Sequence, residues 1–373
     1  MRMSLFSRLK RALAPAPPLS VVSPAPAEGF APTSQDTLAA IGELSRVVRN
    51  NPDAVEIYLA LGNLYRSQGE FERAVHIRSN LIVRPGLDPS FKAKAYYELG
   101  RDYRRGGFLD RAMSALKEAR RLVGPDPVIL GELASLAADV SDWHEAAALY
   151  HQLGHAPAEA HYLVRQAREL AGSGEGTSAR RLLHKALEVY PGSVEAWVEF
   201  LLQALKPGSR ETPGDKLREA LAAVAPELRI VLTVMFIRHL DLAGRRPEGC
   251  DPGILDDILP LLEGEAGDAL MLYSGARLLA ACGRPAEAKR WHERVLDLEP
   301  GFWPSRLALL GALRKGESLS PEFAVQLDFF LARAAEVKRF LCRVCGLKLS
   351  DIFFVCPRCQ SWHSVRFRRS LTG

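Results

Sequence analysis

Apolar residues recur at helical spacing along most of the chain, and small residues interrupt them at regular places. In "EIYLALGNLYRSQGEFERAVHIRSNLI", starting at Glu56, the residues Tyr58, Leu61, Gly62 and Tyr65 fall at the spacing of a first helix. Gly69 ends that helix, and Ala74 sits where a second helix must pack closely. "KAYYELGRDYRRGGFLDRAMSALKEA" repeats the pattern with Tyr96, Leu99, Gly100, Tyr103, Gly107 and Ala112. A third unit carries Trp143, Ala146 and Tyr150, and a fourth Ala179, Leu183, Ala186 and Pro191. A late unit is clear again, with Leu272, Ala276, Gly283, Ala288, Val295 and Pro300.

Ala112 to Ala146 is 34 residues and Ala146 to Ala179 is 33, which is the tetratricopeptide period. The stretch from about Trp197 to Leu262 keeps helical patterning, in "WVEFLLQAL" and "ELRIVLTVMFIRHLDLA", but loops such as "KPGSRETPGD" break the period. It reads as degenerate repeats. The apolar run Ile230–Phe236 is too short to span a bilayer and reads as a buried helix. The predicted fold is therefore an all-α repeat solenoid over residues 36–335, each repeat burying its apolar face on its neighbours. The scattered histidines form no catalytic constellation, and His292 falls at a packing position. There is no glycine-rich phosphate loop, so an enzyme is not expected.

The first helices of such repeats line a concave face. Asn63 and Arg66 follow Leu59 on it at helical spacing, and Arg101 and Arg104 take matching places one unit on. These four are candidate groove residues for an acidic or carboxylate-bearing peptide. Solvated surface is the alternative reading.

The six cysteines change the picture at the C-terminal end. Cys342 and Cys345 form one C-x-x-C pair, and Cys356 and Cys359 another, inside "FLCRVCGLKLSDIFFVCPRCQSW". Four thiolates from two such turns can surround one zinc ion, or one iron ion, tetrahedrally. Nothing marks the chain as secreted, which argues against disulfides between them, and no βαβ pattern suggests redox chemistry. Gly346 suits a tight turn after the first pair, and Pro357 stiffens the second. "LSDIFFVC" and "HSVRFRRS" read as short strands, so residues 338–373 are predicted to form a metal-folded module. From Lys338 onward there are eight Lys or Arg residues and one acid, Asp351. A four-thiolate zinc site carries a net −2, which offsets part of that excess and weakens a nucleic-acid role.

Over the whole chain of 373 residues the net charge is +5, too mild for a dedicated nucleic-acid binder. The charge at the start is more pointed. Residues 1–14 carry Arg2, Arg8, Lys10 and Arg11, with Leu5, Phe6, Leu9 and Leu13 at helical spacing. Such a segment can touch an anionic bilayer surface. Six prolines between Pro15 and Pro32 make residues 15–35 an extended linker.

Tetratricopeptide repeats followed by a rubredoxin-like four-cysteine module resemble the lipopolysaccharide assembly protein B family. The resemblance is strongest in "LGNLYRSQGEFERAVHI", "ELGRDYRRGGFLDRA" and "CRVCGLKLSDIFFVCPRCQSW". It implies a non-enzymatic inner-membrane adaptor facing the cytoplasm. That adaptor promotes degradation of the lipid A pathway deacetylase by a membrane-bound ATP-dependent zinc protease, and contacts an inner-membrane lipopolysaccharide sensor. It also implies that Cys342, Cys345, Cys356 and Cys359 are the metal ligands and that the repeats pack against the metal module. The family usually begins with a transmembrane helix. Here the basic segment and the proline-rich linker stand in its place, so a cytoplasmic protein in reversible contact with the inner membrane is expected. The alternatives are a generic repeat scaffold or co-chaperone with other clients, and a nucleic-acid-associated protein using the zinc ribbon.

The basic segment generates a direct test. Each basic residue near an anionic surface contributes about 1 kcal/mol, a screened attraction. Full-length protein is expected to float with anionic vesicles at low salt and to be released at high salt. A version lacking residues 1–14 is expected to stay behind, and equal flotation of the two would remove the membrane role of this segment.

Overall fold

The structure is a computed structural model, and it describes residues 34–51, 54–206, 209–242, 252–264, 268–316 and 319–370. The candidate membrane-contact residues and nearly all of the proline-rich linker lie outside them. The described residues contain 17 α-helices and three short strands. No described helix is long and apolar enough to cross a membrane. The described residues divide into two compact units, with the boundary between Tyr162 and Leu163.

The first unit is a succession of helix pairs: α1 (Ser34–Asn50), α2 (Val55–Ser67), α3 (Phe71–Ile82), α4 (Pro89–Arg105), α5 (Leu109–Val123), α6 (Pro127–Asp139) and α7 (Trp143–Gln152). Each packs on the next, and α2 also meets α4, as expected of stacked repeats. Local chemistry sets the boundaries. Asp88 and Asp126 cap α4 and α6 through their carboxylates, each followed by proline at the first helical position.

One turn recurs between the helices of a pair. Gly69, Gly107, Gly174 and Gly283 have φ of 80°, 81°, 90° and 73°, and each lies five residues before Ala74, Ala112, Ala179 and Ala288. Ser141 takes the same left-handed conformation, at φ 61°, five residues before Ala146. The third repeat thus keeps its turn without glycine, which is why it is fainter in sequence. Ala74, Ala112 and Ala146 are wholly buried at the crossings. The crossing is close on the facing helix too: a Cβ on Gly100 would stand 2.7 Å from Leu116 Cγ.

Helix α8 spans Ala156–Gly172. The second unit continues with α9 (Gly176–Val189), α10 (Val194–Ala204), α11 (Pro213–Ala223), α12 (Pro226–Leu242), α13 (Pro252–Gly264), α14 (Ala269–Ala281), α15 (Pro285–Leu298), α16 (Trp303–Gly316) and α17 (Pro321–Ala335). The degenerate middle keeps repeat packing: α10 meets α11 and α12, α11 meets α13, and α12 meets α14. Helix α12 holds the apolar run read from sequence. Leu228, Ile230, Val231, Leu232, Val234, Phe236 and Ile237 are all buried, a helix apolar on every side. Its Thr233 hydroxyl lies 2.7 Å from that of Ser274 on α14, and each also bonds a carbonyl of its own helix. His292 is buried on α15 beside Ser305, with Nδ1 to Oγ at 3.0 Å, a packing role as read from sequence.

The chain ends in a three-stranded antiparallel sheet of order β2-β1-β3, with β1 (Phe340–Cys342), β2 (Lys348–Leu349) and β3 (Val365–Phe367). Phe340 pairs with Leu349 on one side and Phe367 on the other. Only the start of the segment read as a crossing strand is extended. Val355 contributes an isolated bridge to Trp362, because the chain must bend to bring the second cysteine pair back.

The crossings set a stability test. Ala112→Leu leaves helix propensity almost unchanged but forces a larger side chain into a filled crossing. Denaturant unfolding is expected to show a loss of about 1–3 kcal/mol, and unchanged stability would mean that the helices are free to separate there.

Candidate metal centre

Two similar turns build the C-terminal site. After Cys345, Gly346 adopts φ 70° and its N–H donates to the Cys342 carbonyl at 2.9 Å. After Cys359, Gln360 adopts φ 58° and its N–H donates to the Cys356 carbonyl at 2.9 Å. Each turn presents two sulfurs on one side, and the β1–β2 and β1–β3 pairings bring the turns face to face.

All four Sγ atoms lie within 4.8 Å of one another, and none of the four thiols is in a disulfide. Cys342 Sγ is 3.7 Å from Cys359 Sγ, and Cys345 Sγ is 3.6 Å from Cys356 Sγ. A zinc ion with bonds of about 2.3 Å to four tetrahedral sulfurs requires sulfurs about 3.8 Å apart, whereas a disulfide requires about 2.0 Å. The donor set therefore fits a tetrahedral thiolate-bound ion. Cys342 and Cys356 are buried, and Cys345 and Cys359 are partly exposed.

The surroundings favour thiolate on one side of the cluster. Burial raises the Cys342 thiol, but its hydrogen bonds with Ser364, the Cys345 backbone and Ser361 outweigh it and bring the pKa down to about 5. Ser364 Oγ lies 3.2 Å from Cys342 Sγ, and Ser361 Oγ 3.1 Å from Cys359 Sγ. Burial pushes Cys356 up to about 12, against backbone N–H groups of Cys359 and Arg358. The metal, a charge shared by all four sulfurs, would remove that asymmetry. Ser361 and Ser364 were not legible as site residues; their only trace is the polar spacing in "CQSWHS".

The module is held to the helices of its own unit. Phe340 and Phe367 are buried, with ring centroids 5.8 Å apart. Tyr273 of α14 is 5.8 Å from Phe367 and 5.2 Å from Phe302, and β3 packs on α12. Trp303 Nε1 donates to the Arg368 carbonyl at 3.3 Å. Arg343 pairs with Glu227 at 2.8 Å and Arg369 with Glu299 at 2.6 Å. Two of the C-terminal basic residues, Arg343 and Arg369, thus bind the protein's own acids.

The candidate groove residues lie on α2 and α4, engaged with acids. Arg66 pairs with Glu98 at 2.7 Å and Asp102 at 3.1 Å, and donates to Asn63 Oδ1 at 2.8 Å. Asn63 Oδ1 also accepts from Arg78 of α3, which is fully buried and paired with Asp102. Burial pushes Asp102 up to about 6, with Arg78 and Arg66 pulling against it. Arg104 meets Glu132 at 3.0 Å and Asp139 at 2.7 Å, and Arg101 lies 3.5 Å from Glu98 and 3.6 Å from Glu132. Sequence reasoning missed Arg78, Glu98 and Asp102. The available signal was Arg78 four residues after Ala74, a charge on a core-facing position.

A model of the tetratricopeptide-repeat family matches residues 33–77. Lipopolysaccharide assembly protein B of Escherichia coli strain K12 is 22% identical over 346 residues, covering 88% of this chain and 84% of the relative. The protein of the same name from Haemophilus influenzae is 25% identical over 337 residues, covering 83% and 78%. The resemblance carried by the repeats and the cysteine module thus extends over most of both chains. A solved tetratricopeptide repeat protein from Parabacteroides merdae superposes with a TM-score of 0.33 at 14% identity, covering 79% of this chain and 99% of that one.

The site predicts separable stabilities. Cys345→Ala removes one of four candidate ligands, and a module this small is expected to depend on a bound ion for folding. Limited proteolysis is expected to trim the variant from about residue 338 onward, while circular dichroism keeps most of the helical signal. A protease-resistant tail in the variant would show that packing alone holds the module.

Proposed function

We propose that this protein is a non-catalytic adaptor in the control of lipopolysaccharide assembly. The observation that carries the reading is the joint one: tetratricopeptide helix pairs and a four-cysteine module in one chain, similar over 88% of its length to lipopolysaccharide assembly protein B. Repeat stacks of this type supply extended binding surfaces for other proteins, and nothing in the described residues resembles a catalytic constellation. The four cysteines hold one zinc or iron ion in a structural role, since a closed four-thiolate site leaves no open position for chemistry.

In this reading the clients are the lipid A pathway deacetylase and a membrane-bound ATP-dependent protease, with an inner-membrane lipopolysaccharide sensor as a regulator. The adaptor works at the cytoplasmic face of the inner membrane. Asn63, Arg66, Arg101 and Arg104 mark the client face of the first unit. Asn63 and Arg66 are committed to the buried network, so Arg101 and Arg104, which are more exposed, make the direct contacts. Their pairing with Glu98, Glu132 and Asp139 leaves the face nearly neutral, which suits a client with mixed charge better than a bare polyanion.

Four measurements test this. Elemental analysis of protein purified without added metal is expected to find one zinc or iron per chain. Deleting the gene is expected to raise the deacetylase level, and a pulldown is expected to recover deacetylase and protease together. Arg101→Ala with Arg104→Ala is expected to weaken client capture at a stability cost of about 1 kcal/mol or less for such partly exposed pairs. Alanine is preferred because glutamate would face Glu132 and Asp139. An unchanged deacetylase level, with neither partner recovered, would reject the assignment and leave a repeat scaffold with other clients.

A further inference from the structure

The last helices of the second unit enclose a cleft of about 490 Å³ that the adaptor reading leaves unused. Arg277 of α14 and Arg339, just before β1, line it together with Ile237, Leu307 and Leu331. Among the described residues neither arginine has an acidic partner. The contrast with their surroundings is sharp: Arg284 pairs with Glu287, Arg314 with Asp328 and Arg333 with Glu336. Arg339 is held in place from the module, since its carbonyl accepts the Arg368 N–H at 2.9 Å and its guanidinium lies 6.0 Å from the Trp303 ring. His292 also lines the cleft. Burial, helped by the charge of Arg277, brings its pKa down to about 4, so at neutral pH it adds no charge of its own.

Two guanidinium groups without carboxylates are forked donors in search of an acceptor, and carboxylate and phosphate match that fork. The wall of Ile237, Leu307 and Leu331 offers no such partner and instead suits methylene groups. The volume falls within the roughly 300–1,000 Å³ of small-ligand sites. We propose that this cleft binds a single-chain amphiphile with an anionic head, carboxylate or phosphate on Arg277 and Arg339, and its alkyl chain along Leu307 and Leu331. The site sits where the helices meet the metal module, so an occupant would touch both parts of the second unit at once.

Titration calorimetry on the full chain tests this, with dodecanoate, dodecyl phosphate, dodecanol and acetate, each below its micelle concentration. One or both of the anionic amphiphiles are expected to bind once per chain, and which of them binds identifies the head. Dodecanol, lacking the charge, and acetate, lacking the chain, are expected to bind at least about tenfold more weakly, a difference of about 1.4 kcal/mol. Arg277→Gln with Arg339→Gln is expected to weaken the anions about tenfold or more and leave dodecanol unchanged. Ala308→Trp, which fills the cleft, is expected to abolish binding of all. Should that variant unfold, the double glutamine variant still decides, because both arginines are partly exposed and unpaired. No saturable binding of either anion, or equal affinity in the double variant, overturns the proposal. Neither result depends on which client the adaptor serves.

Discussion

Helix α12 has almost no solvent face, and the second unit is arranged around that fact. Its apolar residues run around the whole circumference, so α10, α14 and strand β3 must cover it from different sides. The cysteine module has the complementary need. A sheet of three short strands cannot bury Phe340, Val365 and Phe367 by itself, and those residues close on Tyr273, Phe302 and α12. Each partner supplies the apolar surface the other lacks, so the module is part of the core of its unit.

The first unit depends on a different contact. Its crossings are filled by alanine and glycine, but at the α2–α3–α4 junction the buried face carries Arg78, Glu98 and Asp102. Buried ion pairs contribute little net stability, because desolvation offsets their attraction, yet removing one partner is costly. Here two arginines, two acids and Asn63 pair across three helices, with only Arg78 Nε of that group's buried atoms left without a partner. Such a network fixes how neighbouring repeats register, and it holds Asn63 and Arg66 rigidly on the face beside Arg101. If this face receives clients as proposed, it would be prearranged, which would lower the entropy lost on binding.

Charge is distributed with the same economy at the C-terminal end. The sequence carries eight basic residues there, a composition that suggests a polyanion partner. In the fold Arg343 and Arg369 neutralise Glu227 and Glu299, and Arg368 is buried with its Nη1 donating to the Lys338 carbonyl. These contacts dock the module on its own unit and engage three of the eight basic residues.

Much of this was readable from the chain alone, for a physical reason. Helix crossings need small residues at a fixed period, and thiolate metal sites need close pairs on tight turns, so Ala74, Ala112, Ala146, Ala288 and the two C-x-x-C pairs announce themselves locally. The all-α repeat fold and the cysteine quartet followed from those positions, and so did the burial of α12. The turn at Ser141 was fainter because a non-glycine residue took the left-handed conformation there. What the tertiary structure alone decided involves residues far apart in sequence. Arg78 finds Asp102 across 24 residues, and Arg343 finds Glu227 across 116. Ser364 reaches Cys342 across 22, and Arg277 and Arg339 come to share one cleft. Whether a charge is paired, or a hydroxyl faces a thiolate, depends on which helices become neighbours, and spacing along one helix carries no record of that.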